Sequence, residues 1–325
     1  MNWNIRELKV RAAALAEENR SALRQLVLLY CGVLAALILG SNGLDLYLDS
    51  QIGTTGGLDG MGLRSVLQTI QEILVFVNMY FSPFWSAGFL FAMMAMVRGR
   101  EPEKRDLAEG FRRFGRVLAH MAFRFLVMVM LGALAVNLGA VLFSLTPMGQ
   151  EFAREMAPIL ENSALINADG TTNLQLIPQE LLLRYGILLT VLVAAIFGLL
   201  YLCLSYRFRL SMYLVLDRPI GAVQAHFLSM RLMRGHKWQM FKMDMGYWWY
   251  YLLMLLVSAV GYLDAIMTMM GLPLPMDPTV MYFVTLAVYS LLLTGLSLWK
   301  KPRVDASYVL AYECIAKAQL EEAAE

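Results

Sequence analysis

Charged residues are scarce in this sequence, since Asp, Glu, Lys and Arg make up only 16% of its 325 residues. Residues with apolar side chains reach 59%. A typical water-soluble domain has about 25% charged and about 45–50% apolar residues. The composition therefore excludes an ordinary soluble domain and predicts helices surrounded by lipid. The net charge of +2 is too small to indicate a nucleic-acid partner.

Cysteine is also rare, and Cys31, Cys203 and Cys314 lie far apart. Their number and spacing exclude a disulfide framework and a CxxC metal site, so we expect three small buried side chains. The sequence also lacks HExxH, GxxxxGK[ST], GxSxG and a DxDxDG-like loop. We therefore predict no catalytic residue, no metal site and no cofactor.

Long apolar stretches, by contrast, are abundant. A helix needs about 20 mainly apolar residues to cross a bilayer. Six stretches qualify, at residues 25–45, 79–98, 119–146, 181–206, 244–270 and 279–299. The sequence thus predicts an all-α polytopic membrane protein. Its six-span domain at 25–299 follows an N-terminal amphipathic helix at 1–24 and precedes a C-terminal helix at 300–325.

The second span follows a longer apolar stretch that begins at Leu63 and contains Ser82-Pro83. Proline removes a helix hydrogen bond and clashes with the preceding turn. We therefore expect a separate outer or re-entrant helix up to about Tyr80. Residues 147–180 form the one sizeable external connection, where a short amphipathic helix is predicted before a turn at Asp169-Gly170.

Basic residues predict the orientation, because Lys and Arg near span ends are retained on the cytoplasmic side. In the six-span arrangement, 24 of the 27 basic residues fall on one side. That side holds both termini and the connections after the second and fourth spans. We therefore predict a multi-pass protein of the plasma membrane with both termini in the cytoplasm.

These two basic connections have similar patterns. The apolar residues at helical spacing are Leu107, Phe111, Phe114 and Leu118 in the first connection and Ile220, Val223, Phe227 and Met230 in the second. We predict two hairpins of the same design, each with an amphipathic helix on the inner leaflet. The alternative is that any basic connection between spans shows this pattern.

Residues 229–251 place basic side chains directly beside tryptophans and tyrosines. This composition is typical of a helix entering a bilayer, where rings occupy the interface and cations lie among headgroups. The predicted anchors are Arg112, Arg113, Arg116, Arg231, Arg234, Lys237, Trp238, Trp248 and Trp249. The lipid bilayer, including anionic headgroups, is the partner that these residues predict, and a dedicated ligand site is the alternative.

Polar side chains at membrane depth are a second group of candidates, because they tend to face a bundle interior or a cavity. Asn78, Asn137 and Asp264 form the candidate intramembrane polar site. For Asn137 the alternative is a hydrogen bond between two helices. Asp244 lies beside Lys242, so we expect it to pair with a nearby cation at the interface.

Several short motifs are similar to those of a known family. They are RELK (6–9), EGFRRFGR (109–116), SYRFRLSMYLVLD (205–217), SMRLMRGHKW (229–238) and ASYVLAYEC (306–314). With these motifs the chain resembles an uncharacterised bacterial integral-membrane family, domain of unknown function 975. The resemblance implies a multi-span plasma-membrane protein, and the family offers no established activity or site.

Three classes of function agree with these features. The leading one is a non-catalytic envelope protein that scaffolds, assembles or regulates other membrane proteins through its basic helices. A transporter of small solutes or ions is the alternative, because of the expected break at Pro83 and the polar residues at depth. A membrane-embedded enzyme is a second alternative, which would require two titratable side chains within hydrogen-bond reach.

Overall fold

The computed structural model describes residues 4–52, 58–160, 179–271 and 277–322, and the regular structure in these residues is entirely helical. The helices are α1 (Ile5–Glu18), α2 (Arg20–Ile52), α3 (Leu58–Val97), α4 (Glu109–Arg112), α5 (Phe114–Ser144), α6 (Pro147–Leu160), α7 (Gln179–Arg207), α8 (Ser211–Asp217), α9 (Ala222–Leu232), α10 (Lys237–Met245), α11 (Trp248–Val260), α12 (Leu263–Met269) and α13 (Pro278–Glu322). The predicted all-α fold class is therefore confirmed.

Helices long and apolar enough to cross a membrane are present in the described residues. There are five of them, at Arg20–Ser41, Gln68–Val97, Phe114–Ser144, Arg184–Asp217 and Val280–Ala316. Each contains all or most of one predicted span. The count of six spans and the orientation of the chain stay predictions.

The remaining predicted span, 244–270, is divided among the short helices α10, α11 and α12. Glycines follow the first two of these helices, and each lies close to a side chain from elsewhere in the chain. A Cβ on Gly246 would lie 1.9 Å from Lys9 Nζ, and a Cβ on Gly261 would lie 3.2 Å from the ring of Tyr289. Close packing against neighbouring groups thus coincides with both interruptions. The longest continuous apolar piece is α11, with 13 residues.

The predicted break at Pro83 is wrong, because α3 continues through this residue from Leu58 to Val97. A proline inside an apolar helix is tolerated where neighbouring groups compensate for the lost hydrogen bond. Just beyond Pro83, α3 is held to α2 by two polar contacts. Trp85 Nε1 donates to the Tyr30 carbonyl at 3.2 Å, and the hydroxyls of Tyr30 and Ser86 lie 2.9 Å apart.

The two terminal helices differ from the sequence prediction in opposite ways. The N-terminal helix ends at Glu18, and Asn19 separates it from α2, so the boundary at residue 24 falls inside the first apolar helix. At the other end, the last span and the C-terminal helix form one helix of 45 residues that continues through Pro302. At 1.5 Å per residue, α13 is about 67 Å long.

The first basic connection is not the amphipathic helix that we predicted. It consists of a 3₁₀ turn at Lys104–Ala108, the four-residue helix α4 and the first turns of α5. The backbone of this connection approaches that of α3 closely at two glycines. A Cβ on Gly110 would lie 1.9 Å from the Phe84 carbonyl oxygen, and a Cβ on Gly88 would lie 2.0 Å from that of Leu107. The connection therefore packs tightly against α3.

The second basic connection is a helix, α9, but it packs through small residues. Ala222, Ala225 and Ser229 are buried, whereas Val223 and Phe227 of the predicted stripe are exposed. Because one connection packs through glycine and backbone and the other through an alanine and serine face, the prediction of two hairpins with one design is wrong.

The chain divides into two compact units. Unit 1 comprises Met1–Leu118 and Leu210–Glu325, and unit 2 comprises Ala119–Arg209. In unit 1, α2, α3 and α13 pack together around buried side chains such as Leu26, Phe89 and Met93.

Unit 2 contains most of α5, together with α6 and α7. The predicted external helix is present as α6, and Phe152 in it contacts Tyr185 with 5.2 Å between ring centroids. The predicted turn at Asp169-Gly170 lies outside the described residues. Cys203 is exposed, so the expectation of a buried thiol is wrong for it, whereas Cys31 is buried and Cys314 is partly buried.

Candidate functional site

Arg98 connects three helices of unit 1. It follows the last residue of α3, in a turn that Gly99 allows through its positive φ of 82°. The Arg98 guanidinium lies 2.7 Å from Asp217 at the end of α8 and 2.7 Å from Glu313 in α13. Burial disfavours its charge, but the hydrogen bonds and charges of both carboxylates outweigh that effect and raise the pKa of Arg98. The arginine therefore remains a permanent cation between two acids.

Tyr312 completes the contacts of Asp217. Its side chain is fully buried, and its hydroxyl donates to Asp217 Oδ2 at 2.7 Å. The ring of Tyr213, in α8, stacks on the ring of Tyr312 with 5.3 Å between centroids. Asp217 thus receives Arg98 on one oxygen and Tyr312 on the other, which joins α3, α8 and α13 through one carboxylate.

Two arginines of the first basic connection lie close to this position. Arg116 donates to the carbonyl oxygens of Arg218 at 2.7 Å and Val215 at 3.3 Å. A cation at the carboxyl end of α8 satisfies free carbonyls and interacts favourably with the helix dipole. Arg113 lies over the Phe91 ring at 4.7 Å. Burial and then repulsion by Arg116 lower the pKa of Arg113.

A second tyrosine makes the same type of contact one helical turn earlier in α13. Tyr308 donates its hydroxyl to Asp244 of α10, and the hydroxyl of Tyr251 in α11 lies 2.7 Å from that of Tyr308. Beside it, the Ser307 hydroxyl lies 2.7 Å from that of Tyr247. Asp244 thus accepts from a tyrosine hydroxyl, and its expected pairing with a cation stays a prediction. These contacts join α10 and α11 to α13.

The N-terminal helix reaches the same region through Lys9. Its ammonium lies 4.2 Å from the centre of the Tyr247 ring, a cation–π contact. Burial lowers the pKa of Lys9. The contact ties α1 to the turn between α10 and α11.

We call Arg98, Asp217, Asp244, Tyr308, Tyr312 and Glu313 the tyrosine–aspartate cluster. Its hydroxyl and guanidinium donors each meet a carboxylate, so the polar groups are matched with one another. A matched polar network in a packed interior gives the helices a unique arrangement, because any other pairing leaves a group unsatisfied. Among the described residues, no group of three His, Cys, Asp or Glu side chains is placed to hold a metal ion.

The predicted membrane anchors fall into two groups. Exposed side chains belong to Arg112, Arg231, Arg234, Lys237, Trp238 and Trp248. Trp249 is partly buried beside Trp299, with 5.7 Å between ring centroids. Arg113 and Arg116 differ in being partly buried against protein groups, although exposed Arg112 also forms an ion pair with Glu109 at 2.5 Å. Headgroup contact stays a prediction for all nine.

The candidate intramembrane polar site is only partly visible. Asn78 lies in α3 and Asp264 in α12, but the side chains of both fall outside the described residues. Asn137 is exposed, and its amide donates to the Ala133 carbonyl in its own helix at 2.7 Å. The hydrogen bond of this amide lies within α5, whereas the alternative expected a hydrogen bond between two helices. Convergence of the three residues stays a prediction.

Sequence reasoning missed the cluster as a site. Asp217, Tyr308, Tyr312 and Glu313 stand within two motifs that carried the family resemblance. The available signal was the repetition of Tyr at a spacing of four, which places Tyr308 and Tyr312 on one face of a helix. Their aspartate partners are 64 and 95 residues away in sequence, so the pairing required the fold.

The five helices that are long and apolar enough to cross a membrane suggest a helical membrane protein. The sequence profile of the family described as "Protein of unknown function (DUF975)" matches residues 16–318, and the chain belongs to this family. The resemblance inferred from the motifs is thereby confirmed. Comparisons with curated proteins and with solved structures gave no match.

Proposed function

We propose that this protein is a non-catalytic scaffold, assembly or regulatory protein of a bacterial plasma membrane, with both termini in the cytoplasm. The observation that carries the proposal is the position of the motif side chains, which lie between helices. The tyrosines and acids of the tyrosine–aspartate cluster are engaged in contacts between helices, which favours a structural role over a reactive one.

We assign the binding of a membrane partner to a set of exposed aromatic and basic side chains, which we call the rim. The rim comprises Phe227, Arg231, Arg234, Trp238 and Trp248, all in unit 1. Large rings and arginine are the residues that most often carry affinity in protein interfaces, and they also favour the membrane interface. A rigid interior with such a rim is suited to hold a membrane partner in a fixed position.

The orientation is tested by labelling single cysteines from outside intact cells with an impermeant maleimide. Cys31, Cys203 and Cys314 are first replaced by serine, and cysteine is then introduced at Arg112, Arg234 or Arg154. We expect labelling of the Arg154→Cys protein in intact cells, and labelling of the other two only after permeabilisation. Modification of either of those two from outside would contradict the proposed orientation.

A scaffold also requires the contacts of the tyrosine–aspartate cluster to persist. Hydrogen exchange of the protein in nanodiscs should therefore be slowest in Ser211–Asp217 and in residues 306–313. The exposed helix α6 serves as the internal reference. Exchange of residues 306–313 as fast as that of α6 would show that the cluster opens readily, and the scaffold proposal would then be wrong.

Anionic lipid is the proposed partner of the exposed arginines. Neutralising Arg112, Arg231 and Arg234 together should weaken association with anionic vesicles by about 1 kcal/mol for each charge. Neutralising Arg113 and Arg116 should mainly lower stability, because their contacts are with a ring and with backbone carbonyls. Equal vesicle binding by the wild type and the triple variant would contradict this assignment.

Transport is the second candidate function, and one observation favours it. The region 244–270 consists of three short helices, and interrupted helices recur at the substrate sites of transporters. If protons or cations pass here, proteoliposomes with a pH-sensitive dye should show a flux that Asp264→Asn abolishes. A flux no greater than that of empty liposomes would contradict transport of protons or cations by this region.

A further inference from the structure

A groove of about 490 Å³ lies between the junction of α1 with α2 and the middle of α13. Its wall carries three arginines, Arg20, Arg24 and Arg303, and one carboxylate, Glu17. Its remaining lining includes the apolar side chains Leu23 and Trp299. The groove lies wholly within unit 1 and shares no residue with the tyrosine–aspartate cluster.

Glu17 holds two of the arginines in place. It lies 3.1 Å from Arg20 and 3.3 Å from Arg303, so the two cations are brought to opposite sides of one carboxylate. Three cations and one anion in the lining leave an excess of positive charge in the groove. An anion that entered it would meet guanidinium groups, whose planar donors match phosphate oxygens.

On both helices that form the groove, exposed leucines lie toward one end of the groove and arginines toward the other. On α2, Leu28 is exposed one turn from Arg24, which is itself one turn from Arg20. On α13, exposed Leu291 lies about one turn before Gly295, which lines the groove, and Trp299 and Arg303 of the lining follow. The helices run in opposite directions within a membrane of the proposed orientation, so their apolar parts extend the groove toward lipid and their arginines lie at its polar end.

We propose that this groove binds an anionic phospholipid, with its phosphate at Arg20, Arg24 and Arg303 and its acyl chains along Leu28 and Leu291. Phosphate chemistry alone would also suit a free phosphate ion. The exposed leucines that continue the groove favour the lipid, because acyl chains can pack on apolar side chains and a phosphate ion cannot. The inference deepens the proposed function, since it rests on α2 and α13 lying in a membrane.

The test measures lipid retained by the purified full-length protein in native mass spectrometry. The probes are phosphatidylglycerol, phosphatidylcholine and inorganic phosphate. We expect the wild type to retain one phosphatidylglycerol, and the variant Arg20→Gln/Arg24→Gln/Arg303→Gln to retain it with an affinity lower by about fivefold for each charge removed. Glu17→Gln should raise the affinity by a similar factor, because it frees two arginines.

The charge-matched control is Arg6→Gln/Arg11→Gln/Lys104→Gln, which removes three exposed cations that lie outside the groove and are not among the predicted lipid anchors. It should keep the retained lipid. Equal retention by the wild type and the groove variant, or equal loss in the control, would overturn the proposal. Complete displacement of phosphatidylglycerol by inorganic phosphate would show that the groove takes a free ion. The labelling experiment is independent, so normal labelling with unchanged lipid retention refutes this inference alone.

Discussion

Unit 1 and unit 2 are both built of apolar helices, yet they hold their helices together differently. In unit 1, side chains with charges or hydroxyls connect α3, α8, α10, α11 and α13. In unit 2, α5 and α7 meet through an apolar close approach, where a Cβ on Gly139 would lie 2.5 Å from Val193 Cγ2. Hydropathy therefore locates helices in both units, whereas polar pairs specify the partners of a helix mainly in unit 1.

Unit 2 has polar contacts too, but they lie in more open surroundings. Arg124 donates to the Tyr201 hydroxyl at 3.1 Å in an exposed position. Tyr185 donates to Glu155 at 3.2 Å, and Glu155 itself is exposed. Exposed polar contacts contribute less to the free energy of unfolding than matched polar contacts in a packed interior. Equivalent substitutions should therefore cost more stability in unit 1 than in unit 2.

The largest expected difference concerns two glycines. Gly110→Ala in unit 1 would place a Cβ 1.9 Å from the Phe84 carbonyl oxygen, so the backbone must move. We expect a loss of at least about 3 kcal/mol in the free energy of unfolding, measured in mixed micelles. Gly132→Ala in unit 2 meets nothing within 4 Å. It should be neutral or stabilise by up to about 1 kcal/mol, and equal losses for the two variants would contradict the comparison.

The next difference concerns two buried tyrosines. Tyr312→Phe removes the donor to Asp217 and leaves one carboxylate oxygen without it, which should cost about 1–3 kcal/mol. Tyr185→Phe removes an equivalent donor to Glu155, whose exposed carboxylate can find other donors. That change should cost less than about 1 kcal/mol. The same unfolding assay applies, and a larger loss at Tyr185 would reverse the assignment.

The smallest difference concerns two arginines. Arg98→Gln breaks contacts to Asp217 and Glu313, but 43% of the Arg98 side chain is exposed. We therefore expect a loss of only about 1 kcal/mol. Arg184→Gln in unit 2 breaks a 3.8 Å contact with Glu151 and should change the free energy of unfolding by less than about 0.5 kcal/mol. Identical values would show that the Arg98 contacts behave as ordinary surface pairs.

Much of the helical content could be predicted from the sequence, because runs of apolar residues indicate helices in lipid regardless of their neighbours. The interruption at Pro83 was predicted wrongly, since the effect of proline depends on what packs against the helix. The divisions at Gly246 and Gly261 were missed for the same reason. The fold brings Lys9 beside Gly246 and Tyr289 beside Gly261, and the local sequence does not reveal these neighbours.

The candidate site was predictable only as a set of motifs. A spacing of four places Tyr308 and Tyr312 on one face of α13, but spacing does not reveal their partners. The basic pattern of the first connection indicated lipid contact, whereas Arg116 in fact contacts two backbone carbonyls. Residue type alone does not separate an arginine at a helix end from one among headgroups.

A double-mutant cycle on Tyr312→Phe and Asp217→Asn tests the central claim most directly, that matched polar contacts hold the helices of unit 1 together. The free energy of unfolding would be measured for the wild type, both single variants and the double variant. We predict a coupling energy of about 1 kcal/mol or more, because residues in one hydrogen-bonded network are not additive. Losses that add to within about 0.3 kcal/mol would contradict the account.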